Sequence, residues 1–128
     1  MTTPPNRSPQ ILVVDDEPFI AQLVADMLSV EGYAVDTAAN GLVALEQIRR
    51  RSYDLILSDL RMPQLDGLAL YRELARQRPE LLLRIIFVSG TIDDPEYQKF
   101  LEDTGASVLP KPFNLEELRQ LAERVLRP

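Results

Sequence analysis

The stretch Asp54-Leu55-Ile56-Leu57-Ser58-Asp59 is an apolar run that ends on a carboxylate. Three other runs end in the same manner. Ile11-Leu12-Val13-Val14 leads into Asp15-Asp16, Ile85-Ile86-Phe87-Val88 into Ser89, and Val108-Leu109-Pro110 into Lys111. Runs this apolar, with so little polar alternation, fit strands of a parallel sheet covered on both faces. If the strands are parallel, their C-terminal ends gather three carboxylates, a hydroxyl and an ammonium in one crevice, at the edge where open α/β sheets bind ligands.

Outward from Asp54–Ser58 the pattern alternates between strand and helix. Gln10–Val14 reads as a first strand, followed by a helix in which Ile20, Leu23, Val24, Met27 and Leu28 recur at helical spacing until Glu31-Gly32 ends it. Tyr33–Thr37 alternates as a second strand, and Asn40 can cap a helix carrying Val43, Leu45 and Ile48. After the third strand, Gly67–Arg78 is expected to be helical, with Leu68, Tyr71 and Leu74 inward and Pro79 as its stop. Arg84–Val88 is the fourth strand. Pro95–Thr104 is a weaker helix whose apolar positions are Tyr97, Phe100 and Leu101, stopped by Gly105, and Ser107–Leu109 is a short fifth strand. Asn114 and Glu117 stand at capping-box spacing ahead of a last helix with Leu115, Leu118, Leu121 and Val125 on its inner face. Five βα units joined by right-handed crossovers make an α/β fold, a doubly wound five-stranded parallel sheet with five helices. Met1 to Pro9 is polar and proline-rich, so residues 1–9 are expected as a disordered lead-in and residues 10–127 as one domain.

Composition narrows the chemistry. A chain of 128 residues, 45% hydrophobic and 27% charged, suits one ordinary globular domain. No apolar run is long enough to span a bilayer, and the N-terminus lacks the apolar stretch of a signal peptide, so a cytoplasmic protein without a membrane partner is expected. Cysteine is absent, which excludes disulfides, thiolate metal sites and cysteine nucleophiles. Histidine is absent too, and no His-dependent triad, His metal site or phosphohistidine can be built from this chain. A formal charge of −6 argues against direct nucleic-acid binding. Arg49-Arg50-Arg51 reads as the solvated C-terminal turn of a helix, where cations are favourable.

Alone, Asp15-Asp16 reads as a helix cap and Asp59 as a loop carboxylate. Together they are costly, because like charges a few ångströms apart raise one another's pKa unless a cation neutralises them. Mg²⁺ answers that need, since it is held by one or two carboxylates with waters and phosphate oxygens. Lys111 supplies a mobile point charge and Ser89 a hydroxyl donor for a phosphoryl group. Carboxylates act as nucleophiles that form aspartyl-phosphate, and Asp59 in the middle of the sheet is the candidate.

In order and spacing, Ile11-Leu12-Val13-Val14-Asp15-Asp16-Glu17-Pro18, Asp54 to Asp59 followed by Met62-Pro63 and Asp66-Gly67, Val88-Ser89-Gly90 and Lys111-Pro112-Phe113 resemble a two-component response-regulator receiver domain, CheY-like and flavodoxin-like in fold, over Gln10 to Arg127. The resemblance implies that Asp59 accepts phosphate from a phosphohistidine on a sensor histidine kinase or histidine phosphotransfer protein. It implies that Asp16 binds Mg²⁺ directly, Asp15 through water, and that Asp59 and the backbone carbonyl of Arg61 complete the metal set. Ser89 would be the switch hydroxyl, Lys111 would pair with the phosphoryl group, and the Lys111–Pro112 bond resembles one that is often cis. The output would be a partner-binding or dimerisation surface on the last two helices and fifth strand, read by a downstream effector protein, with homodimerisation left open. Such a domain is not an enzyme beyond promoting its own phosphorylation and dephosphorylation.

Two departures bear on output. Receivers often carry an aromatic residue three before the lysine, and here that position is Val108, so coupling is expected through backbone shifts around Ser89–Thr91. Arg61 and Thr91 flank the expected path of the hydrolytic water, and Arg61 either covers the phosphoryl group or points to solvent. An aspartyl-phosphate phosphatase is the chief competitor. It would want an acid two residues after its nucleophile, where Asp59 has Arg61 and Asp15 has Glu17, and a cap domain for which the length leaves no room. A nucleotide switch lacks a glycine-rich loop, since only five glycines are present and none is grouped. A degenerate, purely protein-binding receiver conflicts with the intact acidic, hydroxyl and lysine positions. The last helix runs to the end of the chain, so a stand-alone receiver and a fragment of a larger hybrid kinase or transcription factor both stay open, Met1 favouring the former or an N-terminal piece.

Overall fold

The computed structural model describes residues 8–90 and 93–127. Five strands, β1 (Gln10–Val14), β2 (Ala34–Ala38), β3 (Leu55–Asp59), β4 (Ile85–Ser89) and β5 (Ser107–Pro110), form one sheet in the order β2-β1-β3-β4-β5. Every pairing is parallel. Five α-helices alternate with them: α1 (Pro18–Val30), α2 (Gly41–Arg50), α3 (Gly67–Gln77), α4 (Pro95–Thr104) and α5 (Leu115–Leu126). Most of the expected lead-in over residues 1–9 lies outside the described residues, although the Pro9 carbonyl accepts the Ala34 N–H at 3.0 Å.

The strands show little polar alternation because both of their faces are covered. Ile11, Val13, Leu55, Leu57, Ile86 and Val88 face α1 and α5, where they pack with Val24, Leu28, Leu118 and Ala122. Leu12, Val14, Ile56, Ile85 and Phe87 face the other way, toward Leu45 and Ile48 of α2, Leu70 and Leu74 of α3, and Tyr97 and Phe100 of α4. Successive strand side chains point to opposite faces, so a doubly covered sheet makes each of these positions apolar.

Helix signals hold with local corrections. Asn40 caps α2 through the Val43 N–H at 2.9 Å, and Asn114 with Glu117 closes a full capping box on α5. Asp66 and Asp94 also cap, accepting the N–H groups of Ala69 and Glu96. Pro79 ends α3 as expected, yet it also opens a 3-10 helix over Pro79–Arg84. Proline at a first helical position loses no hydrogen bond there, so one residue serves both roles. Leu23, Val43 and Leu115 are exposed rather than inward, and Gly41, Ala44 and Ala122 take core positions that a reading for large apolar residues passes over. Arg49 and Arg50 occupy the last turn of α2, and Arg50 pairs with Glu46 at 2.8 Å. Among the described residues no helix is long and apolar enough to cross a membrane.

Candidate functional site

The strand order reverses between β1 and β3, and the crevice beyond their carboxyl ends is where a doubly wound sheet opens to ligands. Register fixes what arrives there. Val14 lies beside Ser58 and Ala38, so Asp15 and Asp59 leave the sheet next to each other. Ser89 pairs with Pro110, and its carbonyl accepts the Lys111 N–H at 2.9 Å, which aligns the ends of β4 and β5.

Carboxylate oxygens of Asp15, Asp16 and Asp59 lie within 4.8 Å of one another. Asp15 is buried and its Oδ1 accepts the Glu17 N–H at 2.9 Å, while α1 takes Glu17 as its N-cap without a side-chain cap. The acidic pair therefore does not cap α1 as it would if read alone. The Lys111 ammonium donates to Asp59 Oδ2 at 3.3 Å, between side chains that are 30% and 12% exposed. Ser89 is buried at the end of β4. Asp16, Glu17, Asp59, Arg61, Met62, Pro63, Gly90 and Lys111 line an open cleft of about 390 Å³.

Burial raises the Asp59 carboxyl above the usual carboxylate range, Lys111 opposes that rise, and the neighbouring Asp15 adds to it. Burial likewise raises Asp15, against the Glu17 N–H and Lys111 and with Asp16. An acidic pocket that resists its own ionisation, built only from oxygen donors, fits a hard divalent cation such as Mg²⁺.

Gly67, read in the sequence as part of the Asp66-Gly67 motif and as a helix start, also supports this site. Its N–H donates to the Leu60 carbonyl at 2.8 Å, tying the start of α3 to the residue after Asp59. A Cβ placed there would stand 2.7 Å from the Asp59 carbonyl oxygen and 2.9 Å from Leu60 Cα, both backbone. Gly67→Ala is expected to cost about 1–3 kcal/mol through overpacking, read as a lower urea midpoint. Because the obstructing atoms belong to the backbone of Asp59 and Leu60, the Asp59 amide should shift in the same variant, and an unmoved amide would contradict that coupling.

In the unmodified domain the Arg61 side chain is 61% exposed and held by a neighbour. Its Nη2 pairs with Asp94 Oδ2 at 2.9 Å, and its guanidinium carbon lies 5.6 Å from the centroid of the Tyr97 ring. Thr91, the other expected tuning position, lies outside the described residues. The Lys111–Pro112 peptide is cis.

A parallel sheet that delivers acids, a lysine and a serine to its carboxyl edge defines a doubly wound α/β domain with a carboxylate site. The model of the response regulator receiver domain matches residues 11–123, and the chain belongs to that family of phosphoacceptor signalling domains. It is similar to the chemotaxis protein CheY4 of Vibrio cholerae, with 34% identity and a TM-score of 0.83 over 94% of this chain and 100% of that one. It is also similar to the receiver domain of a Pseudomonas aeruginosa sensor histidine kinase, at 30% identity and a TM-score of 0.83, covering 94% and 98% of the two chains. A magnesium ion is coordinated in the active-site cleft of that protein. Sensor histidine kinase RcsC of Salmonella typhi is 39% identical over 97% of this chain. The chain spans 13% to 27% of the length of curated relatives of this kind.

Proposed function

We propose that this domain is the phosphoacceptor of a two-component phosphorelay and that Asp59 takes the phosphoryl group from a phosphohistidine on a partner. The observation that carries the reading is the grouping of the Asp15, Asp16 and Asp59 carboxylates within 4.8 Å of one another, with Asp59 already held by Lys111 at 3.3 Å. In the transfer an Asp59 oxygen attacks phosphorus, the P–N bond breaks, and its electron pair leaves with the imidazole, which takes a proton from water. Such transfers need alignment and charge neutralisation more than covalent chemistry. Lys111 fixes Asp59 Oδ2 and then faces the new phosphoryl charge, and Ser89 at the neighbouring strand end offers its hydroxyl. Asp16 would hold Mg²⁺ directly and Asp15 through water, with Asp59 and the Arg61 carbonyl completing the set. Bound there, the ion would neutralise phosphoryl oxygens.

The absence of histidine from these 128 residues puts the donor outside this domain. A surface for it lies beside the cleft. Ile20, Leu23, Val24 and Met27 of α1 line an apolar groove of about 460 Å³ with Lys111, Pro112 and Phe113, and Phe19 at the start of α1 is 81% exposed. That supports a protein donor, a sensor histidine kinase or a histidine phosphotransfer protein. A downstream effector, self-association and the α4, β5 and α5 surface belong to the same proposal. So does the domain spanning residues 10–127, whether it stands alone or within a larger kinase or regulator. Turnover of phosphate esters is the less favoured reading, because the residue two after Asp59 is a cation already engaged by Asp94.

Acetyl phosphate with Mg²⁺ is expected to phosphorylate the chain once, and Asp59→Asn to abolish the product. Intact mass and hydroxylamine lability would measure it. Phosphorylation that persists in Asp59→Asn would rule out Asp59, and steady hydrolysis of a generic phosphate ester would favour the phosphatase.

A further inference from the structure

Helix α4 is tied to the acceptor loop by a small set of side chains. Its two buried residues are Tyr97 and Phe100. Asp94 divides its carboxylate, Oδ1 capping α4 at the Glu96 N–H and Oδ2 pairing with Arg61 from the β3–α3 loop. Tyr97 lies beneath the Arg61 guanidinium and donates its hydroxyl to Asp66 Oδ2 at 3.3 Å, while Asp66 Oδ1 caps α3. Arg61 also lines the acceptor cleft together with Asp59.

We propose that Arg61 is the cation that carries the state of Asp59 to α4, with Asp94 as the residue that positions it. The inference rests on Asp59 being the phosphoacceptor. In the unmodified domain Arg61 is held by Asp94 in a pair whose arginine side chain is 61% exposed, and pairs in that setting are weak. A phosphoryl group brings a charge of about −1.5 to −2 and three acceptor oxygens. It would sit over a mostly buried aspartate, where attraction is screened less than at the surface. The planar guanidinium suits bidentate phosphate contact. Arg61 then leaves Asp94 for the phosphoryl group, and the first turn of α4 loses its ion-pair tie to the β3–α3 loop while keeping its own cap and the Tyr97–Asp66 hydrogen bond. This route needs no aromatic rotation, and β5 offers none, since Val108 stands packed beside the Phe87 and Phe100 core.

Asp94→Asn separates the two jobs of that residue. Asparagine caps a helix about as well as aspartate, but it removes the charge that holds Arg61. The experiment follows backbone amides 94–98 and those around Asp59 by NMR in the full chain. Spectra are taken with Mg²⁺ alone and with Mg²⁺ plus beryllium fluoride as a stable stand-in for the phosphoryl group. In the wild type, beryllium fluoride is expected to move both sets. In Asp94→Asn, amides 94–98 should start close to their activated wild-type positions and lose most of their response, while those around Asp59 respond as before. Responses of equal size at 94–98 in both proteins would overturn the proposal. So would a wild type whose Asp59 surroundings move while 94–98 stay still. If neither set moves and no acyl phosphate forms, the phosphoacceptor reading falls and this inference with it.

Discussion

Addition of Mg²⁺ to the metal-free domain is expected to raise its melting temperature by roughly 10 °C once the free ion exceeds its Kd about 100-fold. A ligand that binds only the folded state contributes about 2.7 kcal/mol at that excess, and the unfolding entropy typical of a domain this size converts that to the stated shift. The origin is the pocket itself. Asp15 and Asp59 are raised by burial; Asp15 raises Asp59 further, and Asp16 and Glu17 raise Asp15. A carboxyl whose folded pKa exceeds its unfolded one favours the fold only while protonated. That contribution is fully present below the ordinary carboxylate range near about 4 and is lost as pH rises through the raised value. Above those raised values the metal-free domain therefore carries the full cost of ionising two desolvated acids, and the cation offsets it. Lowering the pH toward that range should shrink the Mg²⁺ effect, as protons compete for the same oxygens. Asp15→Asn should raise the melting temperature in EDTA and blunt the response to Mg²⁺. Calorimetry in EDTA and in millimolar Mg²⁺ at two pH values tests each part, and an unchanged melting temperature at neutral pH would refute the site as a metal centre.

The carboxyl-edge site was legible because strand ends are marked by chemistry. An apolar run that stops abruptly on Asp15, Asp59, Ser89 or Lys111 announces both the strand and what it delivers. The sheet order places those deliveries together, and parallel pairing leaves them on one edge. Helix caps were legible where the capping residue preceded a clear apolar period, as at Asn40 and Asn114. Asp66 and Asp94 were less so, since each looks like one more acid in a polar loop until its N–H partner is seen.

What stayed hidden depends on contacts between loops. Arg61 pairs with Asp94 across 33 positions of sequence, and no periodicity encodes that. Gly67 reads as a helix start, while its close approach to the Asp59 backbone comes from how α3 docks. Leu23 satisfies the helical period of α1 and yet is 49% exposed. A stripe wider than the sheet can cover leaves its margin in water, and here that margin becomes the groove beside Lys111 and Phe113. Periodicity reports which side chains are apolar and leaves open which of them another molecule covers.

Phe87→Ala is expected to be the most damaging single truncation, costing about 3–5 kcal/mol, the range for a large aromatic removed from a core. Against a total stability of about 5–15 kcal/mol for a domain of this kind, that leaves a marginal fold. Phe87 is fully buried on β4 between Ser58 of β3 and Val108 of β5. Its ring meets Phe100 edge-on at 5.5 Å and Tyr71 at 6.1 Å, and those two rings contact each other at 5.1 Å. Aromatic pairs of this geometry contribute about 0.5–1.5 kcal/mol each beyond their buried area, so the truncation removes two such contacts as well as the volume. Its consequences also reach the site. Phe100 is half of what buries α4, and the Phe87 ring edge lies 3.1 Å from where a Cβ on Gly67 would stand, close behind the acceptor loop. α4 should therefore lose hydrogen-exchange protection before the β1–β3 core does, while Phe87→Leu, which keeps more of the volume, should retain most of it. Urea unfolding gives the stability change and exchange gives its distribution. A cost below about 1.5 kcal/mol would mean that Tyr71 and Phe100 collapse into the space, since partial relaxation of a cavity is what lowers such costs.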